Sequence, residues 1–332
     1  TGASDTEIKI GNIMPYSGPA SAYGVIGKME EAYFKMINEQ GGINGRKINF
    51  ISYDDGYSPP KAVEQARKLV ESDEVLLVFG PLGTPSNSAI QKYMNAKKVP
   101  QLFIAAGSVR FADPEKFPWT IGWQPTLFTE AGFYAKHIMA TNPNAKIGVL
   151  YQDDDFGIEV LRGAEEGAKS IGMTLAEKTS YKRGATDFSS QVSKMQASGC
   201  DMIVLGTIIR ETIGAIGTAR KLGYNPVFLG SSAAYTDLIH KLGGKAMDGL
   251  YATMTVQNPY TEGQTQAIGF WANKYKTKFN EDPTVFSVYG YSAVDNFITA
   301  ANAAGPNLTT ESFIKAMETV KFPADIFGSP ET

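Results

Sequence analysis

Short apolar strands alternate with amphipathic helices in two successive runs along this chain, and that repetition limits what it can fold into. In the first run, residues 8–13 read as a strand and 15–19 as a turn-rich loop. Residues 24–40 follow as a helix, with Met29, Ala32, Tyr33, Met36 and Ile37 three and four apart. Gly41 and Gly42 end it, since glycine tolerates left-handed backbone. Residues 47–53 alternate as a strand, 60–70 suit a helix, and 75–79 and 102–104 suit buried strands. The second run has strands at 146–151, 173–180, 202–205 and 227–230, with helices at 158–170, 188–197 and 211–222. Such alternation predicts an α/β protein of parallel sheets covered on both faces, here two doubly wound domains. In these sheets ligands bind beyond the carboxyl ends of the strands.

Two of the strand-end loops stand out. After the strand at 75–79 come Gly80, Pro81, Leu82 and Gly83, then Thr84 and Pro85, which read as an N-cap and a first helical residue. A helix start offers unpaired N–H groups and partial positive charge, which suit an anion. After the next strand, Ala105, Ala106, Gly107 and Ser108 let another group approach the backbone closely. Either loop alone reads equally well as a cap or a tight turn. Together, after consecutive strands of one sheet, they read as a carboxylate site built from hydroxyls and amides. Arg110 and Arg210 also follow strands; each either reaches a carboxylate in bidentate fashion or remains a solvated loop arginine.

Composition removes several function classes. With 332 residues the chain suggests about two domains, and 31 basic against 34 acidic residues leave no positive excess to drive nucleic-acid binding. The longest apolar runs are too short to span a bilayer. Residues 1–6 are small and polar, as in a processed mature chain. The single Cys200 permits no internal disulfide, and with two histidines no Cys/His zinc site can be assembled; Cys200 reads as a buried structural thiol. The contiguous Asp153, Asp154 and Asp155 lack the alternating ligands of a calcium loop and read as a solvated strand end. The sequence has no nucleophile elbow, phosphate loop, dinucleotide fingerprint or metalloprotease motif. No enzyme, metal or cofactor is therefore expected.

An ordered set of weak motifs runs along nearly the whole chain. It comprises Gly18-Pro19, Tyr23-Gly24, Gly41-Gly42-Ile43-Asn44-Gly45, Asp54-Asp55, the Gly80–Thr84 loop, the Ala105-Ala106 turn, Phe156-Gly157 and Asp187-Phe188-Ser189. This set resembles the branched-chain amino acid (Leu/Ile/Val) binding proteins of ABC importers. The resemblance implies the type I periplasmic-binding-protein fold, two lobes joined by a hinge. The first lobe would hold residues 1–122 plus 257–332, and the second residues 123–256. The third crossing of the family is expected to be incomplete near residues 327–332. The resemblance also implies a periplasmic monomer with its signal peptide removed, which delivers a small-molecule ligand to an ABC transporter permease by hinge closure.

Carried over position by position, the resemblance places the carboxylate at Thr84 and at the turn Ala105, Ala106, Gly107 and Ser108. Tyr23, Phe286 and, from the second lobe, Phe156 would surround the ligand. Two positions depart from the family. The acid that holds an α-amine falls in residues 230–234, which contain no carboxylate, and a second-lobe tyrosine falls at Ile208 or Ile209. An ammonium buried without a counter-charge is costly, so a carboxylate with an apolar body is expected. Residues 117–125 and 151–157 resemble a branch linked to aromatic acids. With Tyr16 added to the aromatic lining, a benzoate- or phenylpropanoid-like acid becomes the expected ligand. A branched-chain amino acid, another aliphatic carboxylate and a ligand-sensing role remain the alternatives.

Overall fold

The computed structural model describes residues 1–332, which divide into two compact units. The first comprises Thr1–Ala106, Arg110–Gln124 and Val256–Thr332; the second comprises Gly107–Val109 and Pro125–Thr255. No helix is long and apolar enough to cross a membrane.

The first unit is built on β1 (Glu7–Met14), β2 (Lys47–Asp54), β3 (Leu77–Phe79), β4 (Gln101–Ile104) and β5 (Thr120–Gly122), in the order β2-β1-β3-β4-β5. Every pairing is parallel. Both faces must then be covered, and the residues alternate accordingly. Ile8 and Ile10 of β1, with Leu77 and Phe79 of β3, enter one core, and Ile13 and Val78 enter the other. The helices α1 (Val25–Glu39), α9 (Gln266–Phe279), α10 (Val285–Ala304) and α11 (Thr310–Thr319) contribute to the first core, and α2 (Pro59–Arg67) and α3 (Thr84–Lys97) to the second. Phe297 of α10 is fully buried, with its ring centroid 5.5, 5.4 and 5.2 Å from those of Phe34, Phe79 and Phe313.

The second unit repeats the design with β6 (Ile147–Gln152), β7 (Leu175–Tyr181), β8 (Met202–Gly206), β9 (Val227–Gly230) and β10 (Leu250–Ala252). Its order, β10-β9-β8-β6-β7, is that of the first sheet read from the other edge. Helices α4 (Leu127–Phe133), α5 (Asp155–Ser170), α6 (Ser189–Ala197), α7 (Ile209–Lys221) and α8 (Leu238–Gly243) belong to it. Small residues allow α5 to lie close to α4, where a Cβ on Gly163 would stand 2.7 Å from that of Ala131. Cys200 is buried, and burial pushes its thiol up to about 11. It packs beside Gly148 as a small apolar residue.

The structure differs from the expected elements in three places. The strands β5 and β10 complete the two sheets, yet each is three residues long and carries no readable alternation. α5 begins at Asp155 rather than 158, because Asp154 caps it by accepting from the N–H groups of Phe156 and Gly157. α7 begins at Ile209, so Arg210 stands in a first helical turn and not in a loop.

Phe297→Ala should cost about 3–5 kcal/mol, the usual range for emptying a buried aromatic site. Chemical denaturation followed by tryptophan fluorescence would measure it, since Trp119, Trp123 and Trp271 all lie in the first unit.

Candidate functional site

A 2-1-3-4-5 strand order reverses direction between its first and third strands, and the crevice outside the carboxyl ends of those strands is where such sheets bind ligands. In the first unit this point lies between β1 and β3. The loop after β1 is fixed by Asp54, which accepts from the N–H groups of Tyr16, Ser17 and Gly56 and from the Ser17 hydroxyl at 2.5–3.2 Å. Partial burial would raise this acid, but those bonds outweigh it and hold Asp54 below its ordinary value.

The loop after β3 is held just as firmly. Leu82 N–H donates to Ile13 at 3.1 Å, Ala105 N–H to Pro81 at 2.9 Å, and Gly83 N–H to Ala105 at 3.2 Å. The structure therefore brings together the two loops singled out in the sequence. Within β4, Phe103 adopts φ +54° where the β4–β5 register shifts.

Thr84 occupies a different place from the one expected. Gly83, at φ +99°, precedes the helix as its cap, and Thr84 is the first helical residue. A left-handed cap at Gly83 carries no side chain to complete the helix start. Thr84 is 2% exposed, and its hydroxyl and N–H donate to no protein group. Helix starts leave such N–H groups without intrahelical partners. The hydroxyl and N–H of this nearly buried residue thus stand unused at the switch point.

The aromatic residues divide. Tyr16 turns inward, and its hydroxyl shares a 2.6 Å hydrogen bond with Ser52. Burial pushes that phenol up to about 12. Phe286 is 1% exposed, edge-on to Tyr23 at 4.8 Å and to Tyr289 at 5.4 Å. Tyr23, itself buried, belongs to the short helical turn Ser21–Gly24.

Gly107 and Ser108 belong with the second unit. Leu127 N–H donates to the Gly107 carbonyl at 2.7 Å, and Val109 N–H donates to Glu159 at 2.8 Å. The turn read from the sequence as one feature is therefore split, with Ala105 and Ala106 in the first unit. Phe156 and Arg210 stand in the first turns of α5 and α7, after β6 and β8, which flank the second sheet's own switch point. Asp154, at the end of that loop, also takes Arg183 at 3.0 Å.

A family model described as periplasmic binding protein matches residues 7–332. The chain belongs to the periplasmic binding protein family. Among its relatives, Leu/Ile/Val-binding protein homolog 1 of Brucella abortus (strain 2308) is 25% identical over 96% of this chain and 84% of its own length. Leu/Ile/Val-binding protein homolog 8 of the same organism is 22% identical over 97% and 82%. A fatty acid ABC transporter substrate-binding protein from Thermomonospora curvata superposes with a TM-score of 0.87, at 24% identity over 99% of this chain and 85% of that one. LivJ from Streptococcus pneumoniae, solved with isoleucine, gives a TM-score of 0.81 at 21% identity over 97% and 91%. The fold is the type I periplasmic-binding-protein fold.

This periplasmic binding protein carries buried acids near both switch points, and sequence reasoning passed over them. Glu30 of α1 is fully buried, accepts from Asn12 at 3.3 Å, and leaves its Oε1 without a partner. Burial holds it well above its ordinary value. In the second unit Glu130 of α4 accepts from the Ser232 N–H at 3.2 Å, so a carboxylate does reach the loop at 230–234. It comes from a helix about a hundred residues away, which no reading of the loop itself would reveal. Burial raises Glu130 as well. Glu211, one residue after Arg210, is 1% exposed, and burial raises it to about 7. The available signal was a glutamate at a position with helical apolar periodicity.

Glu211 makes stability depend on pH. Its folded value lies above the unfolded value of about 4.3, so folding takes up a proton between the two. The stability present below about pH 4.3 is lost as pH rises through about 7. Glu211→Gln should remove this slope and stabilise the protein at pH 8 by on the order of 1–3 kcal/mol relative to its effect at pH 4. Urea unfolding at the two pH values would show it; parallel pH profiles for both proteins would refute it.

Proposed function

We propose that this chain is the extracytoplasmic solute-binding component of an ABC importer, and that it captures a small carboxylate without chemical change. The observation that carries the reading is the nearly buried Thr84 at the first switch point, whose hydroxyl and N–H donate to no protein group. Two uncharged donors in a nearly dry position suit a carboxylate, and nearby carbonyls at Pro81, Gly83 and Ala105 are already occupied. Family membership supports the transport role, as do the substrate-binding proteins to which the chain is similar. Hinge closure, the expectation carried from the family, would bury the ligand and present the surface that the permease reads. A ligand favours that state only through its higher affinity for it.

For the body of the ligand we retain an aromatic acid, with Tyr23 and Phe156 as the rings that would meet it. Tyr16 contributes its backbone to the loop rather than its ring. A branched-chain amino acid is the second reading. Glu130 favours it, because the loop at 230–234 has a carboxylate bonded to its backbone after all.

Thr84→Ala should weaken carboxylate binding by about 1.5–3 kcal/mol, roughly ten- to a hundredfold, as expected for a lost hydrogen bond to a charged group. Calorimetry with benzoate, 3-phenylpropanoate, leucine and isoleucine would measure it. Thr84→Ser should retain most of the affinity. An unchanged dissociation constant in Thr84→Ala would remove this position from the site, and a preference for the amino acids would replace the aromatic reading with the second one.

A further inference from the structure

A separate cavity of about 360 Å³ opens on the first unit between α1 and α9, and its walls are almost wholly apolar. Met29, Met36, Trp271, Tyr291 and Phe279 line it, with the exposed Phe270 and Ile326 beside them. None of these residues belongs to the strand-end loops.

The walls are fixed. Trp271 stacks on Tyr275 with ring centroids 5.7 Å apart and meets Tyr291 edge-on at 5.4 Å. The hydroxyls of Tyr33 and Tyr275 donate to Asp295 at 2.8 Å and to Glu281 at 3.0 Å. These bonds hold the two phenols by their polar ends while their rings border the cavity.

The two charged side chains that line the cavity are both basic, while Asp295 and Glu281 stand behind its phenols. Lys274 and Lys278 both border the cavity, one helical turn apart on α9. Neither forms an ion pair, although Lys276 between them pairs with Asp282 at 3.1 Å. Like charges four residues apart on a helix repel one another. An anion placed at the mouth would relieve that repulsion while its apolar part filled the cavity.

We infer that this cavity is a second ligand site, which takes a single-chain amphipathic anion, such as a medium-chain carboxylate, with its chain among the aromatic rings and its head group between Lys274 and Lys278. The volume lies at the lower end of the roughly 300–1,000 Å³ range of small-ligand pockets, which suits one chain rather than a two-chain lipid. The site is independent of the reading of Thr84.

The test is a titration of the full chain, labelled with methyl-13C methionine, with hexanoate, octanoate and decanoate, and with decanol and decyltrimethylammonium as head-group controls. Met29 and Met36 report the cavity directly. The expected result is saturable shifts at both methyl groups and affinity rising about fourfold per added methylene. The carboxylate should bind more tightly than the alcohol, and the cation weakest. Lys274→Glu/Lys278→Glu, a change confined to exposed side chains, should reverse the order of carboxylate and cation. Ala32→Phe, which fills the cavity from the half-exposed wall of α1, should abolish the shifts. Thr84→Ala should leave them unchanged. Decanoate binding that is lost in Thr84→Ala but kept in Ala32→Phe would overturn the inference, as would binding indifferent to head-group charge and to both lysines.

Discussion

The carboxamide of Asn87 donates to the carbonyls of Pro81 at 3.0 Å and Gly83 at 2.9 Å, and the first unit's strand-end loop depends on those two bonds. Its own oxygen accepts from Gln101 of β4 at 2.8 Å. The loop is thus braced from beneath by a residue of its own helix and a residue of the neighbouring strand. Asn87 and Gln101 are both fully buried. Leaving either amide unsatisfied would cost about 1–3 kcal/mol, so the bonds and the loop geometry are enforced together. The chemical consequence is selective. Bracing from below consumes carbonyl oxygens, and zipping to Ala105 consumes another. The hydroxyl and N–H of Thr84 remain for a visiting group, and such donors favour an acceptor. The proposed preference for a carboxylate would follow from how the loop is supported as much as from Thr84 itself.

Much of this architecture was legible in the sequence because it rests on local patterns. The strands β1, β3, β6 and β8 are central, covered on both faces, and therefore apolar enough to read directly. The loops after β3 and β4 were legible because glycine and proline punctuate them. The position of the cap was not. Serine, threonine and aspartate cap helices by side chain, so Thr84 drew the assignment, whereas the backbone gives that place to Gly83 at φ +99°. A Cβ there would also stand 2.7 Å from the Tyr57 ring. This contact is made across 26 positions of sequence and leaves no local trace. The same limit explains Tyr16 and Phe286, since an aromatic residue in a loop reads equally as ligand wall or as packing. Only Ser52 for the first and Tyr23 with Tyr289 for the second decide the matter.

Buried acids show the complementary failure. Residues 230–234 contain no carboxylate, and that absence was read as absence of negative charge. Glu130 reaches the backbone of Ser232 from α4, so charge at a loop depends on what lies behind it as well as on its own residues. Glu30 occupies a related place in the first unit, beneath Asn12, whose carboxamide also donates to the carbonyl of Phe79 at 2.9 Å. Both glutamates are raised by burial, and a protonated Glu30 is a neutral brace beneath the first switch point. A neutral Glu30 beneath the first switch point does not repel a carboxylate, whereas an ionised one would oppose it through a poorly screened interior.

The protonation of these acids therefore bears on selectivity in each unit differently. In the first unit, burial raises Glu30 and so favours its neutral form, which does not oppose an acceptor at the Thr84 loop. In the second, burial raises Glu211 to about 7 beside the exposed Arg210, so its charge changes near neutral pH. Ionisation there partly cancels the arginine's field, and protonation restores it. A carboxylate held by Arg210 would be bound more tightly under acid conditions until the ligand itself takes up a proton. A ligand held by Thr84 alone would show flat affinity from pH 8 down to pH 6. A ligand held by Arg210 would bind more tightly at the lower value. Calorimetry across that interval on the native chain and on Glu211→Gln separates the two, because only the native chain can show the rise.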